Sequence, residues 1–387
     1  MPIKNRFAEM LPELTDWRRD LHRHPELMFD THRTAGLVAE RLRAFGCDEV
    51  VEGLGRTGVV GLIRGRGPGR VLALRADMDA LPIREGTGVD YASQTPGVMH
   101  ACGHDGHTAM LLGAARYLAE TRNFNGSVLV VFQPAEEGGG GGREMIADGI
   151  LDRFGVDEVY GLHNWPGIPL GQFAIRPGPF FAATDQFQIV LTGHGGHAAK
   201  PQETVDPTVM GAQLVLALQT VASRNADPTA QMVVSVTSFE TASTAFNVIP
   251  PFVTLKGTVR TMDAGHRDLA ERRIREISEG VALTFGGRAE LRYMRGYPVM
   301  TNHAAQTEFA AEVARAVAGH CAEAPLVMGG EDFSYFLNER PGAYILLGNG
   351  DSAPVHSPGY NFNDEAIPAG CSWWAGIVEA RLGPATG

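Results

Sequence analysis

The stretch SVLVVFQPAEEGGGGG (residues 127–142) places an uninterrupted apolar run directly before two adjacent carboxylates. Apolar runs without polar alternation are typical of strands buried on both faces of a parallel sheet. Similar runs lie at Val71–Leu74, Glu158–Leu162 and Ala343–Gly348, and helical patterns such as Thr108–Glu120 lie between them. The sequence therefore predicts an α/β fold with a mostly parallel sheet.

The pattern changes at Asp185. From there a strand, DQFQIVLTG, is followed by a helix at Asp206–Arg224, the strands QMVVSVTSFE and FVTLKGTVRT, a helix at His266–Leu283 and the strand RAELRYMR. This β-α-β-β-α-β order is that of a ferredoxin-like α+β unit. Because the α/β pattern then resumes, we predict a discontinuous domain interrupted by an insert. The predicted boundaries are residues 1–184 and 297–387 for the first domain and 185–296 for the insert.

Composition limits the possible functions. A net charge of −11 argues against a general attraction to nucleic acid or anionic lipid, since binding phosphate needs a basic face. The four cysteines show no paired CxxC spacing, which predicts reduced thiols. With no secretory signal pattern and no apolar run of about 18 residues, we expect a cytoplasmic protein without a membrane or nucleic-acid partner.

Metal-capable side chains follow the apolar runs. In open α/β sheets ligands bind at the carboxyl ends of the strands, so these side chains are expected at one edge. Taken alone, a histidine beside an apolar run is more often a structural residue, and the alternative for the two adjacent acids is a solvated loop. Their recurrence after several strands favours a site. The side chains concerned are Asp77, Asp79, Glu136, Glu137, His163 and His356.

Two local patterns indicate the chemistry. Cys102 and His104 have the short spacing that lets a thiolate and an imidazole close on one ion, and both suit zinc and similar metals. Glu136 and Glu137 are neighbours, and neighbouring side chains of an extended segment point in opposite directions. One carboxylate could therefore hold metal while the other acts as a general base.

Motifs distributed in order along nearly the whole chain resemble the M20 metallopeptidase family, and more narrowly its amidohydrolase branch, with hippurate hydrolases, N-acyl amino acid amidohydrolases and auxin-conjugate hydrolases. The motifs are HRHPEL (22–27), RADMDALP (75–82), MHACGHDGHTAML (99–111), FQPAEEG (132–138), GLHNWPG (161–167), GHGGHAAKP (193–201), FNVIP (246–250), GGEDFSYF (329–336) and VHSPGYNFND (355–364).

The resemblance implies a centre of two divalent ions, zinc, manganese, cobalt or nickel, in which Cys102 bridges the ions. Glu136 would be the general base, and Asp79 would orient a ligand. Other branches of the family carry a histidine at the position of Asp77; here His104 supplies an imidazole, so Asp77 is left out of the ligand set. The remaining implied ligands are His104, Glu137, His163 and His356.

The resemblance also assigns roles to the insert, as a dimerisation or lid domain. It implies that His197 reaches the active site of the partner subunit in a homodimer, and that Asn247 and Arg260 contact a substrate carboxylate. The alternative for His197 is a residue of a glycine-rich bend, and from the pattern alone Arg260 would be a surface charge at a strand end.

These features predict a metal-dependent amidohydrolase. It would split the amide bond of a small N-acyl amino acid into a carboxylic acid and a free amino acid, using a water activated by the ions and Glu136. Two enzyme alternatives are a dipeptidase and a deacetylase of the N-acetyl-diaminopimelate type. An alternative of another class is a non-catalytic, metal-containing binding module.

Overall fold

The computed structural model describes residues 4–383. The chain divides into two compact units. The first contains the chain up to Gly178, Thr301–Pro325 and the chain from Asp332 onward; the second contains Pro179–Met300 and Leu326–Glu331. The short segment Leu326–Glu331 thus groups with the second unit. The predicted roles of a catalytic and an inserted domain stay predictions.

The secondary structure is as follows. The helices are α1 (Asn5–Arg23), α2 (His32–Ala44), α3 (His104–Thr121), α4 (Gly141–Ala147), α5 (Ile150–Arg153), α6 (Pro207–Thr220), α7 (Ala264–Thr284), α8 (Ala304–Ala318), α9 (Ser334–Glu339) and α10 (Ile367–Leu382). The strands are β1 (Glu49–Leu54), β2 (Gly58–Arg64), β3 (Val71–Asp77), β4 (Ser127–Gln133), β5 (Glu158–Trp165), β6 (Phe173–Ile175), β7 (Gly178–Phe181), β8 (Ala183–Thr192), β9 (Gly196–His197), β10 (Met232–Thr241), β11 (Val248–Ile249), β12 (Phe252–Thr261), β13 (Arg288–Arg295), β14 (Met300–Asn302), β15 (Cys321–Glu323) and β16 (Gly342–Gly348).

Within residues 4–383, the first unit carries an eight-stranded sheet in the order β1-β2-β4-β3-β5-β16-β6-β15. Its centre, β4-β3-β5-β16, is parallel. These strands are the four apolar runs of the sequence, so the predicted α/β fold with a large, mostly parallel sheet is confirmed. β1 and β2 extend the sheet antiparallel on one side. Nearly every residue of the central strands is buried, as expected when helices cover both faces.

The second unit has a different burial pattern. Its elements follow the order β8, α6, β10, β12, α7 and β13, and the sheet order β10-β12-β8-β13 is antiparallel. Buried and more exposed residues alternate along β8 and β12, which is typical of a sheet with one covered face. A separate apolar core includes Phe187, Leu214 and Ile274. Among residues 4–383, no helix is long and apolar enough to cross a membrane.

A buried ion pair ties this second sheet to α7. The Asp185 carboxylate, on β8, accepts hydrogen bonds from Arg267 Nη2 at 2.6 Å, the Tyr293 hydroxyl at 2.8 Å and the Gly296 amide at 3.1 Å. Asp185 is 1% exposed and Arg267 9%. Removing one partner of such a pair leaves the other charge buried and uncompensated.

We predict that Arg267→Met lowers the free energy of unfolding by about 3–5 kcal/mol, because Asp185 loses its countercharge. Urea denaturation would measure the change. Arg272→Met on the same helix removes an exposed arginine whose ion pair with Glu276 spans 4.0 Å, and should cost less than about 1 kcal/mol. Equal urea midpoints for the two variants would contradict a stabilising role of the Arg267–Asp185 ion pair.

Candidate metal centre

The parallel strands bring the predicted ligands to one edge of the first unit. β3 ends at Asp77, β4 ends just before the segment that carries Glu136, and β16 precedes the loop that carries His356. His163 lies within β5 and not beyond it, because β5 stays paired with β16 as far as Trp165. The expected strand end at Leu162 was therefore too early.

A glycine places two further ligands. Gly103 has a φ of +86°, and a Cβ added there would lie 2.3 Å from Asn164 Nδ2 and 2.5 Å from the Tyr360 hydroxyl oxygen. Cys102 and His104 lie on either side of this left-handed residue, which directly precedes α3. The predicted helix start at Thr108 was wrong, because α3 begins at His104. Its first turn is buried and lacks the side-chain N-cap that marks a helix start in a sequence.

Two groups of possible ligand atoms share one sulfur. The ligand atoms of Cys102, His104 and His163 lie within 4.8 Å of one another, and so do those of Cys102, Glu137 and His356. The Cys102 sulfur is 3.3 Å from His163 Nε2, and His356 Nε2 is 3.2 Å from Glu137 Oε1. We call these groups the first and second triad.

Glu136 belongs to neither triad but lies beside them. Its carboxylate is within 4.8 Å of the ligand atoms of His104 and Glu137, and the residue is 7% exposed. Residues 136–139 form a turn and not an extended segment, so the backbone conformation expected for the two glutamates was wrong. One carboxylate belongs to the second triad, and the other lies within 4.8 Å of it.

Asp79 holds this arrangement through three bonds. Its carboxylate accepts hydrogen bonds from the backbone amides of Glu136 at 2.9 Å and Glu137 at 3.1 Å. Its carbonyl oxygen accepts from His104 Nδ1 at 2.8 Å. In the same way, His163 Nδ1 donates to the carbonyl of Asn164. Both histidines therefore direct Nε2 into the triads, as ligating imidazoles do.

Asp77 is occupied by protein partners. Its carboxylate accepts hydrogen bonds from Arg75 Nη1 at 2.7 Å and His107 Nδ1 at 2.6 Å. His107 Nε2 accepts from the Asn164 amide at 2.9 Å, and Asn164 Nδ2 donates to the Cys102 carbonyl at 2.7 Å. Sequence reasoning assigned no role to His107 or Asn164, although both lie in the quoted motifs next to predicted ligands.

Arg75 extends this support to a more distant part of the chain. Its Nη2 donates to Asp332 Oδ1 at 2.6 Å, and Asp332 Oδ2 accepts from the Gly142 amide at 2.9 Å. Asp332 belongs to the motif GGEDFSYF, one of those that carry the family resemblance, but no role was predicted for it. The link anchors the start of α4, directly after the two glutamates.

The electrostatics of the triads fit a cation. Burial lowers the pKa of His104, but the negative charges of Asp77 and Asp79 outweigh it and raise that pKa to about 10. Burial, together with Glu137 and Glu136, raises the pKa of the Cys102 thiol well above its usual range. The His104 shift reflects surplus negative charge, whereas burial is the largest cause of the Cys102 shift, and a bound divalent cation lowers the pKa of a thiol.

A buried nitrogen atom and the chemistry of the possible metal-ligating groups also indicate a cation site. His104 Nε2 is buried and has no hydrogen-bond partner among residues 4–383, although buried polar atoms are normally paired. Thiolate, imidazole and carboxylate together suit zinc, manganese, cobalt or nickel. The residues present therefore fit divalent metal ions.

The other predicted site residues belong to the second unit. His197 is exposed on β9 and pairs with Val248 of β11. The Ala198 amide donates to the Asn247 carbonyl at 3.0 Å, so Asn247 lies beside His197. Arg260 lies on β12, half-buried, and its Nη1 donates to Thr258 Oγ1 and to the Val259 carbonyl.

The family model Peptidase family M20/M25/M40 matches residues 73–380. The chain belongs to this peptidase family. A hippurate hydrolase of Campylobacter jejuni is 41% identical over 380 residues, covering 95% of this chain and 98% of that protein. An N-acyl-L-amino acid amidohydrolase of Geobacillus stearothermophilus is 44% identical over 303 residues, covering 78% and 81%.

A solved structure is similar over its full length. Bacillus subtilis YXEP protein, described as a dinuclear metal binding peptidase from the M20 family, superposes with a TM-score of 0.86 at 33% identity, covering 97% of this chain and 99% of that one. The predicted M20 resemblance is confirmed, and the prediction of an amidohydrolase is confirmed with it.

We predict that Gly103→Ala destabilises this M20 hydrolase more than Gly97→Ala does. Gly97 also has a positive φ, +80°, but an added Cβ would meet no atom within 4 Å. Gly97→Ala should cost only the left-handed strain, about 1–2 kcal/mol, and Gly103→Ala a further ~1–3 kcal/mol of overpacking. Urea denaturation compares them. Equal losses would show that the turn tolerates a side chain.

Proposed function

We propose that this hydrolase cleaves the amide bond of N-acyl amino acids at a centre of two divalent ions, releasing a carboxylic acid and a free amino acid. The observation that carries the proposal is the pair of triads that share the Cys102 sulfur, with the Glu136 carboxylate beside them. The similarity to a hippurate hydrolase and to an N-acyl-L-amino acid amidohydrolase supports the substrate class.

Each triad would hold one ion, and Cys102 belongs to both triads. His104 and His163 would complete the first site, and Glu137 and His356 the second. Two divalent ions held there would supply the positive charge that lowers the pKa of a nearby water towards about 7. A chelator should therefore abolish turnover.

Glu136 would be the general base. Its carboxylate belongs to neither triad and lies within 4.8 Å of the ligand atoms of His104 and Glu137, next to the place where the ions would be held. It takes the proton of the attacking water and returns it to the nitrogen of the leaving amine. Asp79 orients this step indirectly, since it fixes the backbone amides of both glutamates.

The second unit would bind the amino acid part of the substrate. Within the described residues, both hydrogen bonds donated by Arg260 use Nη1, which leaves Nε and Nη2 for a carboxylate. A planar guanidinium matches a carboxylate with two parallel bonds. Asn247 would add a side-chain contact. His197 would act in the partner subunit of a homodimer, as a donor to the oxygen of the scissile carbonyl.

We expect Glu136→Gln to lower kcat by about 10²–10⁴, because the amide cannot accept the proton. The number of bound ions should stay the same, since the triads remain complete. Steady-state assays with N-benzoyl-, N-acetyl- and indoleacetyl-amino acids, beside metal analysis, measure both quantities. Glu144→Gln, in α4, is the matched control and should behave as the parent does.

Two outcomes would contradict the proposal. An unchanged kcat in Glu136→Gln would remove Glu136 from the role of base. A parent protein that binds metal but hydrolyses none of these substrates would contradict the proposed substrate class and favour a dipeptidase or a deacetylase of the N-acetyl-diaminopimelate type.

A second experiment tests the role of His197. His197→Ala and Glu136→Gln should each be nearly inactive as homodimers. After subunit exchange, a mixed dimer contains one intact site, so about a quarter of the parental activity should return. If native mass spectrometry shows mixed dimers and no activity returns, His197 does not act across a subunit interface.

A further inference from the structure

Arg18 connects the two chain segments that carry most of the proposed ligands. Its side chain is fully buried in α1. On one side, Nε forms an ion pair with Asp105 Oδ2 at 2.9 Å, and Asp105 directly follows His104. On the other side, Nη2 donates to Asn361 Oδ1 at 2.7 Å. Asn361 belongs to the loop that carries His356.

We propose that Arg18 is a positioning residue that keeps the first and second triads in register. The inference rests on the proposed two-ion centre, because each segment held by Arg18 supplies a ligand to a different ion. Arg18 itself touches none of the proposed ligands in any recorded hydrogen bond or ion pair among residues 4–383. Its effect on the metals would pass through Asp105 and Asn361.

The buried negative charge of Asp105 is compensated by cationic side chains of α1. His22, one turn after Arg18, donates from Nδ1 to Asp105 Oδ2 at 2.8 Å, and its Nε2 lies 3.2 Å from Glu85 Oε1. Asp105 is 1% exposed, so without Arg18 its negative charge would be buried with weaker compensation. A shift of Asp105 would move the first turn of α3, where His104 lies.

The His356 loop is attached to the same region by neighbouring bonds. The His356 amide donates to the Ala101 carbonyl at 2.7 Å, and the Tyr360 hydroxyl donates to Asn164 Oδ1. Near Asn361, Arg18 Nη1 also forms an ion pair with Asp364 Oδ1 at 3.5 Å. Arg18 therefore contributes the charged interactions to the set of contacts that joins the segment of Asp105 to the loop of His356.

The guanidinium has a shape that lysine lacks. Three of its nitrogens lie near three different partners, Asp105, Asp364 and Asn361, and of these contacts the one from Nη2 to Asn361 is a hydrogen bond. A lysine ammonium is a single point at the end of a flexible stem and cannot hold separated partners in a fixed plane. Arg18→Lys should keep the charge and lose part of the positioning.

The test measures Co²⁺ affinity by competition with a chelator, together with the thiolate-to-Co²⁺ charge-transfer absorption of Cys102. We expect Arg18→Met to weaken Co²⁺ binding by about 10–100-fold, as removal of groups that orient metal ligands does. Arg18→Lys should lie between Arg18→Met and the parent. Arg267→Met is the matched control, because it removes a buried arginine–aspartate pair of the second unit and should leave Co²⁺ affinity unchanged.

Asn361→Ala provides a second variant that keeps the Arg18–Asp105 pair, so it remains informative if Arg18→Met does not fold. It should weaken Co²⁺ binding about tenfold. Parental Co²⁺ affinity in Arg18→Met, or in Asn361→Ala, would overturn the inference, as would an equal loss in Arg267→Met. A parent that fails to bind two Co²⁺ ions would overturn the proposed centre and this inference with it.

Discussion

The structure depends on the placement of one sulfur. Cys102 Sγ is buried among histidines and carboxylates, in a position shared by both triads. A thiol and several acids in one buried place repel one another as they ionise, and only positive charge can hold them there in charged form. The need for positive charge explains why the surrounding hydrogen bonds direct possible metal-ligating atoms into the triads. It also explains why Asp77, which belongs to neither triad, is held by Arg75 and His107.

Different parts of the fold place these side chains and fix their direction. Parallel strands deliver acids and histidines to one edge, and the turn at Gly103 brings the cysteine between them. Supporting residues such as Asp79 then fix side-chain direction through the backbone. The second unit is built on another plan, an antiparallel sheet with one covered face, and holds the residues proposed to bind the substrate.

Much of this could be predicted from sequence because the signals are strong. Buried parallel strands are continuous apolar runs, and β4, β5 and β16 were visible as such. The strands DQFQIVLTG and FVTLKGTVRT were predicted where β8 and β12 lie. The start of α3 was missed because Gly103 acts through its backbone conformation, and a sequence shows a glycine without its φ. Arg18 and His107 were missed because their partners, Asp105 and Asp77, are brought near by folding.

In the proposed function, the Cys102 thiolate would bind both ions. X-ray absorption spectroscopy of the zinc-loaded protein detects the sulfur and metal neighbours of zinc. We expect a sulfur ligand at about 2.3 Å from zinc and a second zinc at about 3.5–4 Å. Two bound ions without a sulfur neighbour, or a single ion without a metal neighbour, would contradict it.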